Sequence, residues 1–520
     1  MMFPYVLSNL ECLYTTLKKI YLKFIYLKFI MNSYDKYIYQ KYNVSKNDYK
    51  KIFKENDNYY DFLLIYENLN VYPTFPEPIL MTLINENEIF NENDLASEQG
   101  SGAISPHIAD DPIGDSERVP LGTHDDEFNM DTISSFKKLL NEKINEFTML
   151  YGEKKEVNDN LETDKIRRYF DYEIRDILKK KLNKDITNAW IKMYEILVTY
   201  EKKNDPLIKI NNTETEDVHK KAQEQYPRIL QMTNNKIIET FHICEHPGKF
   251  IFAVNDYIKK MFVNSKHNFK HSFVFQSLNP KLNIEAFPLD KKLIALENNK
   301  LDYGINNTGD ITQIDNIQYY IDKYNKHNFK LITSDCGMDF SEDFTKQEEG
   351  LFHIFLSALI IAIGLSSNDT VYVFKMFSLL DIKTIQLLYI ACKFFSRVDI
   401  LRLLTTKGFS GEIYCVCRYG NKKINKNEII EKLFDLINHP NKLIYKKYDK
   451  LFIERITKIN KLLTVRRILS INQLIFRIVN YNYVNDNKQI LKIVKGYVDY
   501  YTNYFIDYIG MSEPSDKLKS

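Results

Sequence analysis

Between Ile237 and Gly420 short apolar runs alternate with helical stretches, and this alternation constrains the fold more than any other feature. The spacing predicts strands at Thr240–Cys244, Ser272–Gln276, Leu331–Ser334, Thr370–Phe374, Asp399–Leu403 and Glu412–Arg418. It predicts helices at Phe250–Phe262, Asn316–Lys326, Leu351–Leu365 and Asp381–Phe395. Strands separated by helices pack as an α/β layer fold, because a parallel neighbour is reached only through a long crossover. The expected architecture is a Rossmann-like, mostly parallel sheet. The last two predicted strands are joined by a short loop that cannot cross over, so they are expected to pair antiparallel at one edge. The apolar run Leu351–Leu365 is shorter than the roughly 20 residues a membrane span needs, and reads as a buried helix.

The regions around this core differ in character. Residues 1–93 are aromatic-rich and are expected to form a mixed or helical region. Its first thirty residues repeat IYLKF with interspersed lysines, which fits an amphipathic surface helix or a start at Met31, not a stable membrane insertion. Residues 94–131, rich in Gly, Ser, Pro, Asp and Glu, read as a flexible linker. Residues 132–236 turn helical, with Ser134 and Ser135 as expected N-caps, and lead into the core. Residues 421–520 read as a helical appendage.

Net charge is only +2, which excludes a globally basic, tail-driven nucleic-acid binder. Any affinity for RNA then comes from a local groove. The lysine pairs Lys202–Lys203, Lys220–Lys221 and Lys259–Lys260 are candidates, although charge runs are usually solvated faces. The six cysteines are scattered, and only Cys415 and Cys417 are close in sequence. No zinc site is expected from such spacing, and free thiols throughout point to a reducing, intracellular compartment.

Five short segments carry possible chemistry. In Cys244-Glu-His-Pro-Gly-Lys-Phe250 a strand gives way to a Pro-Gly turn and then a helix. In α/β sheets ligands bind outside the carboxyl ends of strands, and a glycine there lets backbone approach a ligand. Gly309-Asp310-Ile311-Thr312 offers an acid beside a glycine. Asp335, at the end of Leu331–Ser334, is followed by Cys336 and Gly337. Lys375 lies at the end of an apolar strand, where an unpartnered lysine is costly. Glu412 enters another. Taken singly, each also reads as ordinary turn or strand-end chemistry.

Together and in this order the segments resemble the FtsJ-like (RrmJ-type) family of RNA ribose 2′-O-methyltransferases, with the closest likeness to cap-specific mRNA enzymes and their relatives in large DNA viruses. The resemblance covers about residues 185–420. It implies S-adenosylmethionine as cofactor, held by Cys244, Glu245, Pro247, Gly248, Phe250, Asp310, Ile311 and Asp335. It implies a Lys-Asp-Lys-Glu catalytic group whose last three members are Asp335, Lys375 and Glu412. The first lysine matches Lys192 in Thr187-Asn-Ala-Trp-Ile-Lys-Met-Tyr-Glu-Ile196, with Lys209 and Lys236 as competitors. Lys249 departs from the family, which commonly has a second glycine there. The expected partners are capped mRNA and other capping or transcription proteins, in a cytoplasmic setting. A ribosomal-RNA 2′-O-methyltransferase and a silent RNA-binding scaffold of the same fold are the alternatives.

The implied chemistry is an in-line displacement by a weakly acidic ribose hydroxyl, which must lose its proton as the new bond forms. A free lysine has a pKa of about 10.4, and a second lysine nearby disfavours its charge. Lys375 is therefore the expected base, Lys192 its neighbour, and the two acids orient the lysines. No metal is required.

Overall fold

A computed structural model describes residues 79–84, 130–157, 171–201, 229–230 and 237–262. It also describes 270–418 except 284–285, 287, 339 and 341–342, then 425–479 except 443 and 446–447, and finally 502–511. The expectations for residues 1–78 and 85–129 lie outside this set, as do Lys202–Lys203, Lys209, Lys220–Lys221 and Lys236.

The strands are β1 (Ile79–Ile84), β2 (Ile237–Ile243), β3 (Lys270–Phe275), β4 (Asn299–Leu301), β5 (Leu331–Ser334), β6 (Val371–Phe377), β7 (Arg397–Arg402) and β8 (Glu412–Arg418). They form one eight-stranded sheet in the order β1-β7-β8-β6-β5-β2-β3-β4. From β6 through β5, β2 and β3 to β4 every pairing is parallel. On the other side β8 runs against both β6 and β7, and β1 adds against β7. The sheet is thus mostly parallel with one antiparallel edge. The short β7–β8 link does join antiparallel neighbours, and β8 rather than β7 abuts the parallel block.

The longer helices are α1 (Met130–Val157), α2 (Asp171–Leu182), α3 (Asn188–Glu201), α4 (Lys249–Phe262), α5 (Ile314–Tyr324), α6 (Phe352–Leu365), α7 (Ile382–Phe394), α8 (Lys426–Asn438) and α9 (Lys450–Val479). α1 starts before Ser134 and Ser135, so both serines lie inside the helix instead of capping it. Leu351–Leu365 is a buried helix as expected, with Leu356 through Leu365 all buried in α6. No helix among the described residues is long and apolar enough to cross a membrane.

Side chains alternate across the sheet, since successive strand residues point to opposite faces. Val371 and Val373 of β6 join Leu331, Tyr414 and Val416 in a core under α3 and α4. Tyr372, Phe374 and Met376 join Ile332, Ile413 and Cys415 in a second core under α5 to α9. Lys375, in phase with Val371 and Val373, therefore faces the α3/α4 side. α3 is buried almost all round, with Trp190 stacked on Tyr194 at 4.7 Å. α1 packs along α9, and Arg455 of α9 donates to Leu83 O of β1 at 3.0 Å, so flanking segments buttress the sheet.

Candidate active site

The carboxyl ends of β2, β3, β5 and β6 and the start of β8 share one rim of the sheet. At the end of β5, Asp335 holds Lys375 of β6 through an ion pair of 2.8 Å (Oδ1) and through its carbonyl oxygen at 3.2 Å. The register explains the meeting, because Ser334 and Phe374 are partners in the parallel β5–β6 ladder. Next along the rim, Glu412 pairs with Lys192 of α3 at 2.7 Å. Tyr414, two residues along β8 and on the same face, donates its hydroxyl to Glu412 at 2.8 Å. Tyr414 is itself the ladder partner of Lys375. Lys192, Asp335, Lys375 and Glu412, spread over 220 residues, are thus assembled as two lysine–carboxylate pairs. Burial pushes the Glu412 carboxyl up, but Lys192, Lys375 and the bond from Tyr414 outweigh it and hold the group below its ordinary value.

The turn after β2 lies beside these pairs. Cys244 (φ 58°) and Gly248 (φ 97°) both adopt left-handed backbone. Glu245 accepts the Phe250 N–H at 2.8 Å at the start of α4, while its second oxygen, Oε2, is buried without a partner among the described residues. Burial, and then the nearby Asp335 charge, push the Glu245 carboxyl well above the ordinary range. A buried acid with a raised pKa and an orphaned oxygen, beside Asp335 and Lys375, is a group suited to a bound ligand.

A glycine is needed at 248 for its backbone and for space, since a Cβ there would stand 2.3 Å from Leu293 Cδ2. Its Cβ direction points toward Leu293, so the integrity of the turn is a further reason for the glycine. Phe250 and Ile311 are core side chains, 0% and 4% exposed. Phe250 packs against Tyr414 at 6.3 Å and supports the site from beneath. Asp310 accepts Thr312 N at 2.9 Å, Thr312 Oγ1 at 2.7 Å and Gln313 Nε2 at 3.2 Å, so its turn chemistry is present in full.

These features sit in a recognisable sequence frame. Residues 187–419 match the family described as FtsJ-like methyltransferase. The chain is 26% identical over 272 residues to "Uncharacterized protein L511" of Acanthamoeba polyphaga mimivirus, covering 51% of this chain and 30% of that protein. It is 26% identical over 265 residues to cap-specific mRNA (nucleoside-2′-O-)-methyltransferase 2 of Pongo abelii, covering 49% and 30%. With the enzyme of the same name from Drosophila melanogaster it shares 24% over 224 residues, covering 42% and 31%. The matched stretch therefore spans under a third of each relative.

Several residues in the matched stretch that position the site were not legible as such. Gln276, just past β3, accepts Cys244 N at 3.1 Å and donates to Gly309 O, tying the two glycine turns together. Glu195, one helical turn after Lys192, is fully buried and accepts Leu404 N at 2.5 Å and Thr405 Oγ1 at 2.6 Å from the β7–β8 turn. An acid three residues from the lysine on an apolar helix was the only available signal. Lys249, the departure from the family, pairs with Asp290 at 2.9 Å. Of the lysines suggested for a groove, Lys260 instead donates to Ile509 O at 3.1 Å and Gly510 O at 3.3 Å.

The cysteines also need correction. Cys244 and Cys336, 92 residues apart, form a disulfide with a Cα–Cα distance of 5.0 Å. It joins the turn after β2 to the turn after β5. Sequence distance hid a pair that two neighbouring parallel strands bring together. Cys392, Cys415 and Cys417 are buried outside any disulfide.

Proposed function

We propose that the chain transfers a methyl group from S-adenosylmethionine to a ribose 2′-hydroxyl of RNA, close to the 5′ cap of mRNA. The observation that carries this reading is the pair of lysine–carboxylate contacts, Lys375–Asp335 and Lys192–Glu412, on one rim beside the Cys244–Gly248 turn. The names of the Pongo and Drosophila relatives support the cap and the 2′-oxygen.

When bound, S-adenosylmethionine supplies an electrophilic methyl on a sulfonium. The residues that would hold it are those of the Cys244–Gly248 turn, Asp335 and the Asp310 turn, with Glu245 Oε2 available to a polar group of the ligand. Phe250 and Ile311 shape the walls from within the core.

Lys375 spends two contacts on Asp335, through its carboxylate and its carbonyl. One position on the nitrogen remains for the ribose hydroxyl. Gly337 keeps space beside it, because a Cβ there would lie 3.2 Å from Lys375 Nζ. As the hydroxyl oxygen took the methyl that S-adenosylmethionine would supply, its proton would pass to the Lys375 amine. Asp335 fixes that amine. Glu412, held by Lys192 and Tyr414, fixes the neighbouring charge. Alignment of the hydroxyl with the methyl supplies much of the rate.

The test is transfer of labelled methyl to capped and uncapped RNA, with nuclease mapping of the product. Label on a 2′-oxygen near the cap is expected. Equal labelling of uncapped ribosomal RNA, or label on a base, overturns the cap or the ribose assignment. Lys375→Ala is expected to abolish transfer while calorimetry shows wild-type cofactor affinity. Wild-type turnover in this variant would remove Lys375 as the base.

A further inference from the structure

The β6–β8 ladder ends where Phe377 pairs with Glu412. Just beyond it Ser378 N donates to Gly411 O at 2.8 Å, and the two chains then leave the sheet. One chain has just carried Lys375, and the other is about to deliver Glu412. A single guanidinium joins them. Arg467 of α9 donates through Nη1 to Ser378 Oγ at 2.7 Å and through Nε to Phe409 O at 3.1 Å. Two turns earlier on the same helix, buried Asn460 donates to Leu379 O at 2.6 Å. Both residues lie beyond position 419, where the FtsJ-like match ends.

Three further observations show that this contact is built rather than incidental. Ser378 has φ 63°, a left-handed conformation that is unfavourable for a non-glycine residue, so its surroundings hold it there. Gly411 is required by the arginine's seat, since a Cβ would stand 2.6 Å from Ser378 Oγ and 2.9 Å from Arg467 Nη1. Arg467 is only 9% exposed, and its neighbours Leu140, Leu463 and Ile413 are apolar. Burial lowers its pKa to about 10. An apolar side chain would fill this place at less desolvation cost, so the charge and fork geometry have a use beyond packing.

We propose that Arg467 is a positioning residue for methyl transfer, setting the spacing between the exit of β6 and the entry of β8, and hence between Lys375 and Glu412. Helix α9 is then part of the catalytic apparatus and not only a support. This rests on the methyltransferase reading above.

The test compares the full chain with Arg467→Ala, Arg467→Lys and Gly411→Ala. It reads kcat and KM for RNA, cofactor affinity by calorimetry, and amide exchange by mass spectrometry. Arg467→Ala is expected to lower kcat by roughly 10- to 100-fold, the scale of a misplacement near 1 Å, with cofactor affinity and KM unchanged. Exchange should quicken at Ser378 while the β2 and β5 amides stay protected. Arg467→Lys should restore part of kcat, because an ammonium can serve one of the two acceptors. Gly411→Ala should reproduce the loss with the guanidinium still present. A folded Arg467→Ala with wild-type kcat, or with unchanged exchange at Ser378, overturns the proposal. If Arg467→Ala does not fold, wild-type kcat in both other variants overturns it. If the wild-type chain methylates no RNA, the methyltransferase reading fails first, and exchange alone then decides whether Arg467 ties the two chains.

Discussion

At the scale of single residues, the parallel sheet hides a polar stack with a defined charge state. Thr240 Oγ1 lies 2.7 Å from His242 Nε2 and 2.8 Å from His271 Nε2, and His242 Nδ1 lies 2.7 Å from Thr333 Oγ1. Both imidazoles are buried, one on each of the neighbouring strands β2 and β3. Burial, with Lys259 adding to it, lowers His271 to about 3, and burial beside His271 lowers His242 well below its usual value. A depressed histidine means that the unfolded chain binds more protons than the folded one between about pH 3 and 6.5. The stability this pair contributes is therefore complete above about pH 6.5 and is lost as pH falls below it. NMR of the imidazole carbons should show no titration of either ring between pH 8 and 4.5. A His271 midpoint near 6.5 would contradict this.

At the scale of elements, α3 is placed by two residues three apart that grip opposite ends of the β7–β8 turn. Lys192 holds Glu412 where β8 begins, and Glu195 accepts from Leu404 and Thr405 where β7 ends. Burial pushes the Glu195 carboxyl up to about 7, against the bonds from Thr405 and Leu404 that favour its charge. The folded state then keeps this proton between about pH 4.5 and 7 while the unfolded chain has released it. The corresponding stability is complete below about pH 4.5 and is lost as pH rises through about 7. Glu195→Gln should flatten that slope in urea unfolding measured across the window. Glu195→Ala should cost about 1–3 kcal/mol, because it leaves buried donors unmet, and should reduce methyl transfer more than cofactor affinity. Unchanged stability and activity in Glu195→Ala would show that α3 is docked by its apolar face alone.

At the scale of the whole molecule, the two turns that close on the candidate cofactor site are covalently joined. The Cys244–Cys336 bridge spans 92 residues and links the turns that follow neighbouring strands β2 and β5. Closing so long a loop restricts the unfolded chain, and such bridges typically contribute about 2–4 kcal/mol. Reduction, checked by alkylation of both thiols, should lower the urea midpoint accordingly. Cys336→Ser should do the same without reductant. A midpoint indifferent to both would mean that the bridge constrains nothing beyond what the sheet already holds.

The sequence by itself determined the parts of this protein that repeat with a local period. Apolar runs bounded by turns placed Leu331–Ser334 and Glu412–Arg418 to the residue, and the all-apolar stretch after Leu351 marked a buried helix. β1 and the three-residue β4 escaped, because so short or isolated a run carries no period and gains its stability from a neighbour's open edge. Asp335, Lys375 and Glu412 were nominated through the family resemblance that the ordered segments carry, since each alone reads as ordinary strand-end chemistry. Which carboxylate meets which lysine was decided only by the register of β5, β6 and β8 and by the docking of α3. The same holds for Gln276, Glu195, the disulfide and Arg467. Their roles lie in contacts between residues far apart in the chain, and such contacts leave no local pattern because the physics that selects them acts only once the sheet has formed.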